Sequence, residues 1–405
     1  MMPKRFGMSA GRVAIVVAAF ASIAGVRAQQ VPQVNRSHPF GPDQCGPADP
    51  SYIKTANETG GVPLFLQRNE AGKAMQLMRE STRENVSTVL WASAKLAATA
   101  HNFEIPVDSV TERITFTFSV DTKGTKLVLR QPNGQEVVAG SPGVEDTELN
   151  CGRLITVVKP RPGRWKAEMS GSGTFWLEAQ AQSDIYFIKA EFVERGGRPG
   201  HEGLFRIRGQ PVAGQPATLQ VSISATETRS TDFALVSSTG DVLQKVHLHA
   251  TSDDRDFLDL AGEVPLPSVP FRIAVTGRDE KEMPYQRFYA TLFHAESVQV
   301  IPKFTFDEIA PGEKRTGEFE VRNFGPAQTF KATVVDAHKF VTRVEPQELS
   351  LAAHGNARLK VALAVPAATQ AGIDDDVIVV VASTAGPPTT NSAIVHLSVA
   401  DKGAH

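Results

Sequence analysis

The chain has 405 residues, 42 Lys and Arg against 44 Asp and Glu, a formal charge of −2, and 41% hydrophobic residues. That balance offers no basic face to nucleic acid, and the length exceeds the ~100–200 residues of one ordinary domain. Beyond residue 28 no apolar stretch approaches the roughly 20 residues a membrane-spanning helix needs.

Residues 1–28 combine Lys4, Arg5 and Arg12 with an apolar run from Val13 to Val26, broken only by Ser22 and Gly25, and a Val26-Arg27-Ala28 exit. A basic start, a short apolar centre and a small-residue exit predict a signal peptide cleaved near Ala28. The expected location is therefore secreted or extracellular, or the periplasm or cell surface in a bacterium. Cleavage removes Lys4, Arg5, Arg12 and Arg27 and no acidic residue, leaving the mature chain more acidic. In an oxidising compartment the only two cysteines, Cys45 and Cys151, are a candidate disulfide, with two buried free thiols as the alternative. Joined, they close a loop that chain-entropy models rate on the order of 4–5 kcal/mol.

Residues 29–44 carry Pro32, Pro39 and Pro42 and read as an extended lead-in. Residues 45–100 form a short α/β piece. Gly60-Gly61 precedes a strand expected over 62–66, and Asn69 stands as the N-cap of a helix over 70–81 with Ala71, Ala74, Met75 and Met78 on one side.

From 101 to 197 the pattern changes to short segments of period two, with Arg113 to Phe118 and Thr125 to Leu129 among them, and with turns at Pro132-Asn133-Gly134, Pro160 to Gly163 and Gly171 to Gly173. This predicts a two-sheet sandwich. Residues 198–300 supply a second all-β block after the Gly196 to Gly200 hinge. Residues 301–400 hold seven strand candidates, an immunoglobulin-like count. The fold class is thus mainly β: three serial β-sandwich domains preceded by a short α/β remnant.

Thr59-Gly60-Gly61 with the strand and helix after it, and then FEIPVDS, LVLRQPNGQ, PRPGRWKAEMSGSGTFWLEAQAQSDIYF and PFRIAVTGRDEKEMPYQR, resemble hemicentins and related secreted proteins with a von Willebrand factor A domain. The resemblance covers roughly residues 45–295. It implies a Rossmann-like A domain followed by β-sandwich modules, and a role in extracellular adhesion or matrix organisation. The Asp-x-Ser-x-Ser loop that holds the A domain's cation has no counterpart between Gln29 and Thr59, so no metal ligand carries over to this chain. Either the gene model is truncated upstream, or the remnant pairs with something else, residues 60–66 offering an unpaired strand edge to another chain or to the sandwich's own sheet. The leader favours the second. Residues 300–400 lie outside the resemblance and look like the generic immunoglobulin-like modules of bacterial secreted proteins.

Few residues point to chemistry. His247 and His249 fall two apart on a predicted strand and could share a metal, but the sequence identifies no third ligand, so an exposed polar face is the simpler reading. Asp253-Asp254-Arg255-Asp256 and Asp374-Asp375-Asp376 read as solvated acidic loops, since neither has calcium-loop spacing. Ser170-Gly171-Ser172-Gly173 is a hairpin turn and not a nucleophile elbow. Trp165 is assigned to the sandwich interior. Trp176 divides between core and a ligand surface for glycans. Asn35, Asn57 and Asn85 are glycosylation acceptors only in a eukaryotic pathway.

These readings predict a secreted, non-enzymatic adhesion or surface-organising protein that meets an extracellular protein or glycan surface and needs no cofactor or metal. A carbohydrate-binding accessory protein built on Trp176 is the alternative, and a secreted hydrolase with a carboxylate pair the third.

Overall fold

The computed structural model describes residues 45, 50–97, 100–197, 200–224, 227–252, 257–304 and 307–400. The predicted leader, the lead-in, Asn35 and Asp253 to Asp256 lie outside them. Mainly β structure follows from the dense period-two segments.

Two helices come first, α1 (Pro50–Thr59) and α2 (Ala71–Ser81). The strands that follow are β1 (Val86–Ala97), β2 (His101–Val107), β3 (Thr111–Val120), β4 (Lys126–Arg130), β5 (Val144–Leu149), β6 (Gly152–Val158), β7 (Gly163–Ser170) and β8 (Ser172–Ser183). Next are β9 (Phe187–Gly196), β10 (Gly203–Arg206), β11 (Ala217–Ser224), β12 (Thr228–Val236), β13 (Val242–Val246), β14 (His249–Ala250), β15 (Phe257–Val264), β16 (Arg272–Asp279) and β17 (Pro284–Phe288). The last nine are β18 (Val298–Pro302), β19 (Asp307–Ile309), β20 (Lys314–Asn323), β21 (Gln328–Val335), β22 (Val341–Glu345), β23 (Glu348–Leu351), β24 (Asn356–Ala364), β25 (Asp374–Ser383) and β26 (Thr390–Val399).

The chain divides into two compact units. Of the described residues, the first takes those up to Ala190 with those in Val221–Leu260 and Phe271–Leu292, and the second takes those in Glu191–Gln220, Ala261–Pro270 and from Phe293 on.

The first unit is built on a nine-stranded sheet, ordered β13-β12-β16-β17-β1-β8-β3-β6-β5. A three-stranded sheet, β2-β7-β4, packs on it to make a sandwich. Ile105, Trp165, Ala167 and Met169 from the small sheet meet Phe116, Phe118, Phe175 and Leu177 from the large one. The predicted interior position of Trp165 is observed, with its indole N–H donating to Arg161 O at 2.8 Å. The Gly171 to Gly173 turn joins β7 to β8, both glycines having positive φ.

Residues 62–66 form no strand. The open edge expected there does not exist, and the strand that enters the sheet from this region is β1, held between β17 and β8. The N-terminal segment instead crosses the opposite face of the large sheet. Ser119 Oγ donates to Pro63 O at 2.6 Å, and Phe65 packs on Trp176 with ring centroids 5.7 Å apart.

The helix over 71–81 forms as predicted, with its entry one residue later than Asn69. Glu70 is the N-cap residue, and its carboxylate accepts from Gln67 N at 3.0 Å and Asn150 N at 2.7 Å. The helix docks through polar side chains and not through its methionines, since Met75 and Met78 are exposed. Ser81 Oγ meets Gln180 Oε1 at 2.9 Å, Thr147 Oγ1 meets Gln76 Oε1 at 2.6 Å, and buried Glu80 accepts from Arg83 at 2.8 Å. Burial opposes the charged form of Glu80, yet Arg83, Arg113 and Arg79 outweigh it and hold its pKa below the ordinary value. Cys45 and Cys151 are joined, with Cα atoms 5.8 Å apart across a sequence separation of 106.

In the second unit, β18-β20-β24-β22 and β19-β26-β25-β21-β23 form two facing sheets. Phe319, Val321, Leu359 and Val361 of one close a core with Phe330, Val379, Val395 and Leu397 of the other. All seven predicted strands are present, and β18 and β19 extend the sandwich before and after the expected start.

Candidate functional site

Trp176 is buried, 4% exposed, and offers no face to a glycan. Its indole N–H donates to Asn57 Oδ1 at 3.1 Å, beneath the C-terminal end of α1. Phe175 and Leu177 turn to the sandwich core as their alternation requires, but the face left for Trp176 is covered by α1 and the chain that follows it. This side chain belongs to the interior.

The covered face carries polar groups in cross-strand rows. Opposite residues in β1, β8 and β3 place Trp91, Glu178 and Thr117 in one row, Ser93, Trp176 and Ser119 in the next, and Thr88, Gln180 and Thr115 in a third. Arg272, at the start of β16, lies with its guanidinium 4.5 Å from the centre of the Trp91 ring. It donates from Nη2 to Asn57 O at 2.5 Å and from Nη1 to Ala290 O, while Trp91 Nε1 donates to Gly61 O at 3.1 Å. A cation at the C-terminal end of a helix meets both its unpaired carbonyls and the negative end of its dipole. Three strands thus fasten one helix end. Gly60, at φ +80°, completes it, with Gly61 N donating back to Ala56 O at 2.8 Å in the manner of a Schellman turn.

Glu178 is the unexpected member. Burial pushes its carboxyl up to about 7, against hydrogen bonds from Thr88 Oγ1 at 3.1 Å and Gln180 Nε2 at 3.0 Å and the charge of Arg272. Burial also draws Arg272 down to about 10, with Glu178 acting the other way. Thr117 Oγ1 and Arg272 Nε on the same face have no hydrogen-bond partner among the described residues. None of these residues stood out in the sequence. The available signal was the alternation Trp176, Glu178, Gln180, Gln182, a polar row on a strand whose other face is apolar.

A second buried polar centre lies where β17 meets the β2–β3 turn. Arg287 and Asp108 are both fully buried and 2.5 Å apart, and Arg287 also donates to Ser183 Oγ at 2.8 Å and Ile185 O at 2.7 Å. Burial disfavours the Asp108 carboxylate, but Arg287, Thr111 and Ser183 outweigh it and keep its pKa below the ordinary value. Every close partner is an internal anchor, so the centre organises the fold. The arginine is that of the PYQR string quoted above.

The other predicted positions disperse. His247 and His249 are exposed, and β13 ends at Val246 while β14 begins at His249, so the two histidines do not lie two apart on one strand. Among the described residues no group of three or more His, Cys, Asp and Glu side chains converges to hold a metal ion. Asp374, Asp375 and Asp376 open β25 and are not a loop. Asp375 is buried, accepting from Ala337 N at 3.0 Å and His338 N at 3.2 Å. Asn57 is tied to Trp176, and Asn85 is exposed at φ 59°.

A groove of about 920 Å³ lies wholly in the second unit. Its floor is β18 and the residues after it. One wall is the chain from 207 to 218, which is anchored firmly. Ala213 N donates to Glu296 O and Glu296 N to Pro211 O, both at 2.9 Å, while Asn391 exchanges bonds with Gln210 N and O at 2.8 and 3.0 Å. Gly209, at φ +97°, permits this, because a Cβ there would sit 2.2 Å from Ser392 O. Arg195, Arg208, Lys303 and Arg322 line the groove against a single acidic lining residue, Glu194.

Residues 300–401 match the sequence model of the VWA7 Ig-like domain. The match falls on the block read as a generic immunoglobulin-like module, and not on residues 45–295, which carry the hemicentin resemblance. No curated relative matches the sequence. Similar solved structures include the propeptide form of the Bacillus licheniformis lipase BlEst2, at 11% identity and a TM-score of 0.24 over 50% of this chain and 40% of that one. The ICAM-5 D1–D4 ectodomain fragment aligns at 11% identity and a TM-score of 0.19 over 76% and 77%. A tetra-tandem repeat from the extending region of a large adhesion protein aligns at 12% and 0.18 over 76% and 74%. The chain spans less than half of the lipase, and at these scores none of the three establishes a shared overall fold.

Proposed function

We propose that this chain is an exported, non-enzymatic binding protein of serial β-sandwiches, acting in adhesion or surface organisation. The observation that supports the reading is the immunoglobulin-like sandwich matched over residues 300–401, taken by fold-level analogy with modules that serve many hosts. The Cys45–Cys151 bridge agrees with an oxidising location. The resemblance of residues 45–295 to von Willebrand factor A-containing secreted proteins supports the same role. The glycan reading based on Trp176 loses its support because that ring is covered.

The test is expression of the full chain in its own host, with N-terminal sequencing and thiol titration of the exported fraction, followed by binding of that fraction to intact cells. The expected product begins near Gln29, has no free thiol, and binds saturably. Retention of Met1 in the cytosol, or an exported protein that binds no surface, overturns the reading.

A further inference from the structure

We propose that the groove of the second unit receives an extended acidic peptide segment of a partner protein, which pairs with the free edge of β18. This deepens the binding role above by naming the partner's chemistry.

The edge is defined by register. β18 is the terminal strand of its sheet and pairs antiparallel with β20. Lys303 N donates to Glu318 O at 2.9 Å and Phe324 N to Ser297 O at 2.7 Å, so Ser297, Gln299, Ile301 and Lys303 face β20 with their main-chain groups. In an antiparallel ladder the intervening residues point theirs the other way. Val298 O is taken by Asn391 Nδ2 at 2.8 Å. The N–H and C=O of Val300 have no partner among the described residues, and Pro302 supplies a carbonyl without a competing donor. Val300 is only 2% exposed. That burial belongs to its side chain's place in the sandwich core, and Val300 also lines the groove, so its outward rung on the terminal strand is the one a strand supplying both a donor and an acceptor would meet.

Charge selects the occupant. Glu320 already holds Arg322 at 2.7 Å and Lys303 at 2.6 Å, which keeps its pKa down at about 2. Arg208 bonds only a carbonyl, Ile394 O at 3.1 Å, and Arg195 has no carboxylate within 4.0 Å among the described residues. Two guanidinium groups of the groove lining thus await carboxylates, and among the described lining residues Glu194 alone is acidic. The chain's own ends do not fit, since residues 29–44 hold one acidic residue, Asp43, beside Arg36, and residues 401–405 pair Asp401 with Lys402.

The test uses the full mature chain and fluorescein-labelled decapeptides in anisotropy titrations. The probes are an alternating Glu-Val peptide, its Lys-Val counterpart, and the Glu-Val peptide with alternate amides N-methylated. The Glu-Val peptide is expected to bind with an affinity that falls as salt rises, and the Lys-Val and N-methylated peptides roughly tenfold more weakly or not at all. Arg195→Glu with Arg208→Glu, both exposed positions, should cost a similar factor while leaving the melting transition unchanged. No binding at millimolar Glu-Val peptide overturns the proposal, as does equal binding by the reversal variant. Loss on charge reversal with full retention on N-methylation overturns the strand pairing. A concentration-dependent dimer that the peptide cannot displace assigns the groove to a second copy and overturns it too. If the peptide fails while the exported chain still binds cells, the groove proposal falls and the wider function stands.

Discussion

Replacing Glu178 by Gln should make the first unit more stable above neutral pH and change it little in acid. The carboxyl rises from 4.5 to about 7 because it is buried without an ion pair, and at 1.36 kcal/mol per pKa unit this is about 3 kcal/mol. The folded state retains a proton that the unfolded chain has released. That contribution is fully present below 4.5, fades as pH rises, and is gone once pH passes about 7. Glutamine keeps an acceptor for Thr88 and never ionises, so the variant should lose this slope and gain up to about 3 kcal/mol on the wild type at pH 8. Asp108 and Glu80, whose values are lowered, act at the acid end, below the range from 4.5 to about 7 in which Glu178 acts. Chemical denaturation followed by tryptophan fluorescence suits the purpose, because Trp91 and Trp176 lie on the same covered face as Glu178. An unchanged slope in Glu178→Gln, or a loss of stability equal at every pH, would refute the reasoning.

Removing one partner of the buried Arg287–Asp108 pair should cost about 3–5 kcal/mol, because the remaining charge is left without its counterion; Asp108→Ala measured by denaturant unfolding checks this. Trp176→Ala should cost about 3–5 kcal/mol as a core truncation and leave glycan-array binding where it was, separating interior from ligand surface. Cys45→Ala with Cys151→Ala should lower stability by up to about 4.7 kcal/mol, the chain-entropy figure for a loop of this size, read as a shift in denaturant midpoint. Gly60→Ala should free the end of α1, since its φ is +80° and a Cβ would stand 2.6 Å from Ala290 O; faster amide exchange at Gly61 and Leu292 is the readout.

The mainly β class was legible because apolar residues recur at period two along β3, β7, β20 and β24. Burial on the second face was not. In β3, Ile114, Phe116 and Phe118 turn to the sandwich core while Thr115, Thr117 and Ser119 are also buried. A threonine and serine face reads as solvent-facing from sequence, because hydroxyls on a strand are usually hydrated. Here Ser119 donates to Pro63 O and Thr115 pairs with Thr156 Oγ1, while Thr117 Oγ1 has no partner among the described residues. For the same reason Glu178 was invisible as a buried group, and Trp176 was open to a surface reading. The disulfide was a candidate from compartment and number alone, and spacing could not show that Cα atoms 106 positions apart approach to 5.8 Å.

The N-terminal helix shows why polar contacts and not apolar ones join this segment to the sheet. α1 has no buried residue, so hydrophobic burial contributes little to its docking. Its attachment is concentrated at the C-terminal end, in hydrogen bonds from Arg272 and Trp176 to Asn57 and from Leu292 N to Glu58 O. Such bonds are worth little to an exposed helix but more where the donors are already buried, since an unpaired buried donor costs its full desolvation. Arg272 and Trp176 are buried whether or not the apolar surface of α1 matters, and the helix end is their acceptor. The bridge from Cys45, five residues before α1, to Cys151 in the sandwich adds a covalent tether upstream. Helix and sheet are therefore interdependent: each supplies the groups that make the other's burial tolerable.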